Sequence, residues 1–335
     1  MSPRTPDQQA TMRDVAERAG VSPMTVSRVL RDDPRVAPDN RAKVLAAVEH
    51  LGYQRNEAAR SLRVGSSRLL GLVVTNLANP FYSHLALGAE SLAADRGMTV
   101  VLGNTAEAVQ RERELVGDLV SRRVSGMIVV PAGGDHAHLR PERVHGIPVV
   151  LAARPPSGAD LDCVLVDDFG GALAATTRLT ARGHRRVGFL GLPPNVWTSA
   201  ERFRGFSAGL AEAGLSVDER HVRLNLDGTA AAERATGELL DLADPPTALF
   251  TANSRLTIGA IRAITRARTT TALAGFDDFD LADVLGLPLT IVAYDPQQLG
   301  REAATLLLDR MAHGSDAAPR RVVLPTRIVE YGTRN

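Results

Sequence analysis

Two groups of side chains in this 335-residue chain have the chemistry to recognise something. The first is compact: Ser22, Thr25, Ser27 and Arg28 set three hydroxyls and a guanidinium within seven residues. An arginine so placed can make paired hydrogen bonds to guanine O6 and N7, and the hydroxyls can reach phosphate oxygens. Pro23 and Met24, between them, have no side-chain donor, so Met24 is limited to apolar contact, for example with a thymine methyl. The second group is scattered. Asn79, Phe81 and Tyr82 follow LLGLVVT, Arg202 follows RVGFLG, Asn253 closes TALFTAN, and Asp277 falls in ALAGFDD. A guanidinium, amides and a carboxylate beside an aromatic face are the groups a polyol needs. Trp197, the single tryptophan, lies on the same stretch as Arg202 and is a further candidate for this site.

The compact group is positioned by a pair of short helices. Val15, Ala16 and Ala19 share one helical face, and Gly20 stands where the chain must reverse. Ser22 is a good N-cap, Pro23 then sits at the first helical position, and Val26, Val29 and Leu30 form an apolar stripe. Two such helices around a tight turn match a helix-turn-helix, whose second helix enters the DNA major groove. A third helix is expected over residues 40–51, with Val44, Leu45, Val48 and Leu51 on one face and Gly52 as its stop. The head is expected to span residues 11–55, after a frayed tail over 1–10. Residues 56–67 read as a linker, because a helix from Asn56 to Arg63 is too short to hold alone in water. Asn56 can cap such a helix or contact a phosphate.

From Leu69 onward apolar strands alternate with helices, which implies parallel sheets covered on both faces. Helices are expected to start at His84, Gly171, Ala200 and Leu256. Two sets of these units predict two doubly wound lobes over residues 68–335. One lobe takes about 68–168 and 295–325, the other about 169–294 and 326–335, with the last strands crossing between them. Ligands in such sheets sit at the carboxyl ends of the strands, which is where the scattered group lies.

Net charge is only +1, although residues 1–65 hold eleven Arg/Lys against eight Asp/Glu. Charge alone is therefore a weak argument for DNA, and the motif carries it. The one cysteine, Cys163, allows no internal disulfide and fits a reducing cytoplasm; its flanks read as a buried strand. The start of the chain is polar and no apolar run is long enough for a bilayer, so neither signal peptide nor membrane span is expected. The chain has no Gly-rich phosphate loop with a following Lys, no GxGxxG after a strand and no GxSxG elbow, so no enzyme and no cofactor are expected. His136 and His138 lack a ligand partner at recognisable spacing, so they read as a solvated pair and no metal is expected. Asp167 and Asp168 read as helix-capping residues rather than a catalytic pair.

In DVAERAGVS and MTVSRVL, and again in LGYQRNEAARSLR, the chain resembles the lactose-repressor (LacI/GalR) family of bacterial transcription regulators, and the likeness runs on to the last strand. The resemblance implies a small all-α head on an α/β body like that of periplasmic sugar-binding proteins. It implies a homodimer on a pseudo-palindromic operator in double-stranded DNA, governed by a small molecule, a sugar or derivative, between the lobes. Pro23 and Met24 fall at the positions that set base preference. Ala59, Leu62 and Arg63 fall in a hinge that becomes helical only on the operator, where a leucine matching Leu62 wedges into the minor groove. Asn79, Phe81, Arg202, Asn253 and Asp277 match effector contacts. Three places depart from the pattern: Ala153 stands where many sugar-responsive members carry an acid, Ser254 where an Asp is usual, and RARTTTALAGF lacks the short Gly- and Pro-bearing connector that normally precedes this strand. A lost acid is a lost hydroxyl acceptor, which leaves an atypical sugar, a non-sugar, a phosphorylated metabolite or no small molecule open. No leucine heptad closes the sequence, so a dimer rather than a tetramer is expected.

Overall fold

The computed structural model describes residues 10–53, 67–314 and 317–332. The chain divides into two compact units, one ending at Ser67 and one starting at Arg68. The hinge residues Asn56, Ala59, Leu62 and Arg63, and residues 1–9, lie outside the described residues.

The first unit holds α1 (Met12–Ala19), α2 (Pro23–Val29) and α3 (Pro38–Leu51). α1 opens on a capping box. Thr11 Oγ1 accepts from the Asp14 backbone N–H, and Asp14 Oδ2 accepts from the Thr11 N–H. α1 ends at Gly20, whose left-handed φ of 65° closes the turn. Ser22 caps α2, its Oγ 3.1 Å from the Thr25 nitrogen, and Pro23 takes the first position as expected. Val15, Ala16, Ala19, Val26, Val29, Val44 and Ala47 form the core. Leu45 is a correction: it is 50% exposed, and Ala47 is buried instead. At about 100° per residue, positions 44, 47, 48 and 51 form one stripe and position 45 falls beyond its edge.

The second unit carries two six-stranded sheets. In chain order its elements are β1 (Leu69–Val74), α4 (Pro80–Asp95), β2 (Thr99–Asn104), α5 (Val109–Ser121), β3 (Gly126–Val129), β4 (Val149–Ala152), β5 (Asp162–Val166), α6 (Asp168–Ala181), β6 (Val187–Leu190), α7 (Trp197–Glu212), β7 (Val222–Arg223), α8 (Gly228–Leu240), β8 (Ala248–Thr251), α9 (Ser254–Ala267), β9 (Ala272–Phe276), β10 (Leu289–Ala293), α10 (Pro296–His313), β11 (Arg321–Leu324) and β12 (Arg327–Tyr331). One sheet runs β11-β5-β4-β3-β1-β2, all parallel; the other runs β12-β10-β9-β8-β6-β7, parallel except for β12 against β10. Successive β1 residues serve opposite faces: Leu70, Leu72 and Val74 enter one core cluster and Val73 the other. This two-sided burial is why the strands read as continuous apolar runs.

Sheet pairing makes the chain cross between lobes three times: from β5 into α6, from β10 into α10, and from β11 to β12. Helices are brought close by missing side chains. A Cβ on Gly88 of α4 would stand 2.0 Å from the Gln297 carbonyl oxygen, and one on Gly300 of α10 would stand 2.0 Å from that of Leu85. Cys163 is buried in β5 as expected. The helices expected from His84, Gly171, Ala200 and Leu256 start earlier, at Pro80, Asp168, Trp197 and Ser254. Each extra turn carries polar or aromatic residues in place of the apolar repeat.

Candidate functional site

In the head, the sequence from Ser22 to Arg28 is α2 with its cap. Val26 and Val29 face inward, while Pro23, Met24 and Arg28 are exposed, Met24 by 60%. The hydroxyls already have local partners. Ser22 Oγ lies 2.9 Å from Thr25 Oγ1, and Ser27 Oγ accepts from Arg31 at 2.6 Å. A hydroxyl bonded in this way keeps further donor or acceptor capacity for a phosphate. Arg41 of α3 braces the following turn, pairing with Asp32 and donating to the Asp33 carbonyl at 2.8 Å. The result is a rigid short helix presenting Pro23, Met24 and Arg28 outward.

In the body, the scattered residues converge. Asn79, Phe81, Tyr82, Arg202, Asn253 and Asp277 line one cavity, joined by Ala153, Arg154, Val166, Asp168, Leu192, Thr198 and Tyr294. The cavity draws on both sheets and on two of the three crossings, through Val166 and Asp168 and through Tyr294. Its free volume, about 40 Å³, holds a few waters at most, so a sugar enters only if side chains or lobes move.

Arg202 is the centre of the site. Its Nε donates to Asp168 Oδ1 at 2.7 Å, one terminal nitrogen donates to the Ala252 carbonyl at 2.5 Å, and the other lies 3.4 Å from Asp277 Oδ1. Its guanidinium also stacks 3.7 Å from the Phe276 ring centroid. Burial opposes its charge, but Asp277 and Asp168 outweigh that and raise its pKa, so it stays cationic. Asp277 also accepts from the Tyr294 hydroxyl at 2.9 Å. Burial, then the Asp277 charge, push the Tyr294 pKa well up, so the phenol stays protonated and donates. Across the cavity, Arg154 gives both Glu107 carboxylate oxygens a hydrogen bond at 2.7 and 2.6 Å and a third at 2.8 Å to the Pro131 carbonyl. Tyr82 accepts from Thr75 at 2.6 Å, which leaves its own proton to donate.

Both asparagines are also helix caps. Asn79 Oδ1 accepts from Phe81 N at 3.1 Å, and Asn253 Oδ1 accepts from Leu256 N at 2.9 Å. Their amide nitrogens are the atoms left for a ligand. Ala153 and Asp277 have φ of 63° and 67°, strained for residues with a side chain, and both follow strands at the cavity wall.

Trp197 is placed elsewhere. It opens α7 in the second lobe, yet it packs against the cluster of Val73, Met127 and Leu151 in the first, so it spans the cleft rather than lining the cavity. The pair His136 and His138 is not solvated. His136 is buried, accepting from Ser157 N at 3.0 Å and facing the Ala132 carbonyl at 3.1 Å; His138 Nε2 lies 3.0 Å from the buried Glu112. The loop folds back on α5, a tertiary contact that local polarity does not reveal. Among the described residues there is no cluster of three or more metal-ligating side chains, and no helix is long and apolar enough to cross a membrane. Sequence reasoning missed Arg154, Asp168 and Tyr294. Asp168 is a correction: it reads with Asp167 as a capping residue, but only Asp167 caps α6, accepting from Gly170 N at 2.9 Å, and Asp168 pairs with Arg202 instead.

A head with an outward-facing recognition helix and a two-lobed body with a polar cleft define a ligand-governed DNA-binding regulator. The family profile "Bacterial regulatory proteins, lacI family" matches residues 11–56, and "Periplasmic binding proteins and sugar binding domain of LacI family" matches 67–331. The chain is 30% identical to the HTH-type transcriptional repressor CytR of Escherichia coli K12, over 93% of this chain and 92% of that protein. It is similar in structure to a lac repressor dimer bound to operator and the anti-inducer ONPF, with TM-score 0.82 at 26% identity over 96% and 98% of the two chains. It is also similar to the complex of the transcriptional regulator CelR with cellobiose, with TM-score 0.71 at 29% identity over 97% and 100%. The chain belongs to the LacI family and is a DNA-binding transcriptional regulator.

Proposed function

We propose that this protein is a repressor of carbohydrate-related genes that binds a pseudo-palindromic operator as a homodimer and responds to a sugar or sugar derivative in its cleft. The observation that carries the reading is a cavity walled by both lobes and by two of the segments that join them. A ligand there bears on the joints themselves. It shifts the lobes only through its different affinity for their two arrangements, and DNA must alter ligand affinity by the same factor. The structurally similar CelR, bound to cellobiose, supports the ligand class, and the operator-bound lac repressor dimer supports the assembly.

In this reading residues 11–55 are the DNA-reading domain, 56–67 the hinge, and 68–335 the effector-binding and dimerising body. Arg28 reads guanine, Met24 and Pro23 tune base preference, and Ser22, Thr25, Ser27 and Asn56 hold phosphates. Leu62, flanked by Ala59 and Arg63, wedges the minor groove. Asn79, Phe81, Tyr82, Arg202, Asn253 and Asp277 hold the effector. Trp197 packs across the cleft beside them. Such a protein works beside DNA, in the cytoplasm.

The test is to sequence the DNA that the purified protein retains from random fragments, then to screen sugars for its release. A twofold-symmetric site released by a sugar is expected; no preference over scrambled sequence at moderate salt refutes the reading. Leu62→Ala is expected to weaken operator binding and reduce DNA bending, and an unchanged bend removes the wedge.

A further inference from the structure

We propose that Asp168 binds the effector directly: its Oδ2 accepts a hydrogen from a ligand hydroxyl or ammonium, so that the cleft takes a neutral or cationic polyol and rejects an anionic one. This rests on the cleft being the effector site.

Asp168 lines the cavity at 2% exposure. Its Oδ1 is held by Arg202, but its Oδ2, fully buried, has no hydrogen-bond partner among the described residues. An orphaned acceptor of this kind is costly, and in a folded protein it needs an explanation. A ligand donor arriving in the cavity supplies one.

The charges around it decide the ligand class. Arg202 and Arg154 are the cations of the cavity wall. Arg202 lies between Asp168 and Asp277, and Arg154 is bonded to both oxygens of Glu107. Three carboxylates thus meet two guanidiniums, and neither arginine has a free fork for a phosphate or carboxylate. Three of the helix starts at the cavity wall are also capped by side chains, at Asn79, Asp167 and Asn253, whereas α7 opens without one.

The same group makes binding pH-dependent. The groups around it are Arg202 of α7, Asp277 after β9, Tyr294 after β10, Arg154 after β4 with its partner Glu107, Tyr82 of α4 and the adjacent Asp167. Burial raises the Asp168 pKa to about 7; Arg202 opposes this, and Asp277 and Asp167 add to it. The carboxylate is a stronger acceptor than the carboxylic acid, so affinity for a donor ligand rises as pH passes through about 7.

The experiment is calorimetric titration of the full chain with glucose, ribose, cellobiose, glucosamine, glucose 6-phosphate and ribose 5-phosphate, on either side of neutrality. A neutral or amino member is expected to bind, more tightly at the higher pH, with its phosphate ester weaker by about tenfold or more. Asp168→Asn, with its fold checked by circular dichroism, is expected to weaken that ligand by about tenfold, the order of one charge-assisted hydrogen bond, and to flatten the pH profile. A phosphate ester that binds more tightly than its parent sugar overturns the assignment while leaving the effector reading intact. So does an Asp168→Asn variant with unchanged affinity and pH profile. If none of the sugars binds, the effector reading falls and the assignment with it.

Discussion

In the head, the residues proposed to read DNA lie within two turns of one helix, held by a cap at Ser22 and two buried valines. In the body, the residues around the cavity come from seven stretches of chain between Asn79 and Tyr294, and they hold one another. The head exposes its working side chains and keeps its core separate from them. The cleft buries its working side chains, so that Arg202 serves both the fold and the site. A change in the head can alter recognition at little cost to folding, whereas a change in the cleft perturbs both.

The sharpest way to break that contrast is Arg202→Ala. It leaves Asp168 and Asp277 buried without their cation and is expected to destabilise the body by about 3–5 kcal/mol in urea unfolding. An unfolding midpoint close to wild type would mean the cleft is as loosely coupled to its fold as the head. A pH test comes next. The Asp168 pKa is raised to about 7 in the folded state from an ordinary 3.8. The folded protein therefore binds a proton that the unfolded chain releases over that window. Its stability falls, on this group's account, as pH rises from about 4 to 7, and the full cost remains above 7. Asp168→Asn escapes that cost, so its unfolding free energy relative to wild type should rise across the window, by at most about 4 kcal/mol. A constant difference between the two proteins would show that Asp168 is not held protonated.

In the head, Arg28→Ala is expected to lose about 1–3 kcal/mol of discrimination for a guanine in each half-site, with unfolding unchanged. Equal loss on random DNA would make Arg28 a phosphate contact. The smallest effect is expected from Ser22→Ala, about 1 kcal/mol of head stability from the lost cap, read by thermal melting. A larger loss there would tie the head's recognition face to its fold as tightly as in the cleft.

The helix starts show where reading by pattern stops. The expected helices began at His84, Gly171, Ala200 and Leu256, where apolar repeats begin. The observed ones begin up to a turn earlier, at Pro80, Asp168, Trp197 and Ser254, with Asn79, Asp167 and Asn253 as caps for three of them. Three of those early turns line the cavity and carry Phe81, Tyr82, Asp168 and Thr198, so they lack the repeat that marks a helix facing a core. Their side chains line a polar cavity instead of packing on a sheet. Asn79, Phe81, Tyr82, Arg202, Asn253 and Asp277 were nonetheless legible, because strand ends in a parallel sheet point to one edge. Trp197 shared that neighbourhood in sequence and turned to the opposite lobe.

The sequence by itself determined the three-helix head, its caps and its exposed Arg28, because each depends on residues within one or two turns of one another. It determined the alternation of strand and helix for the same local reason. Only the tertiary structure decided that Asp168, Arg202 and Asp277 meet, that Arg154 is matched by Glu107, and that His138 lies against Glu112. Those meetings join residues far apart in the chain, and burial, which sets both their charge and their cost, exists only once the lobes have closed around them.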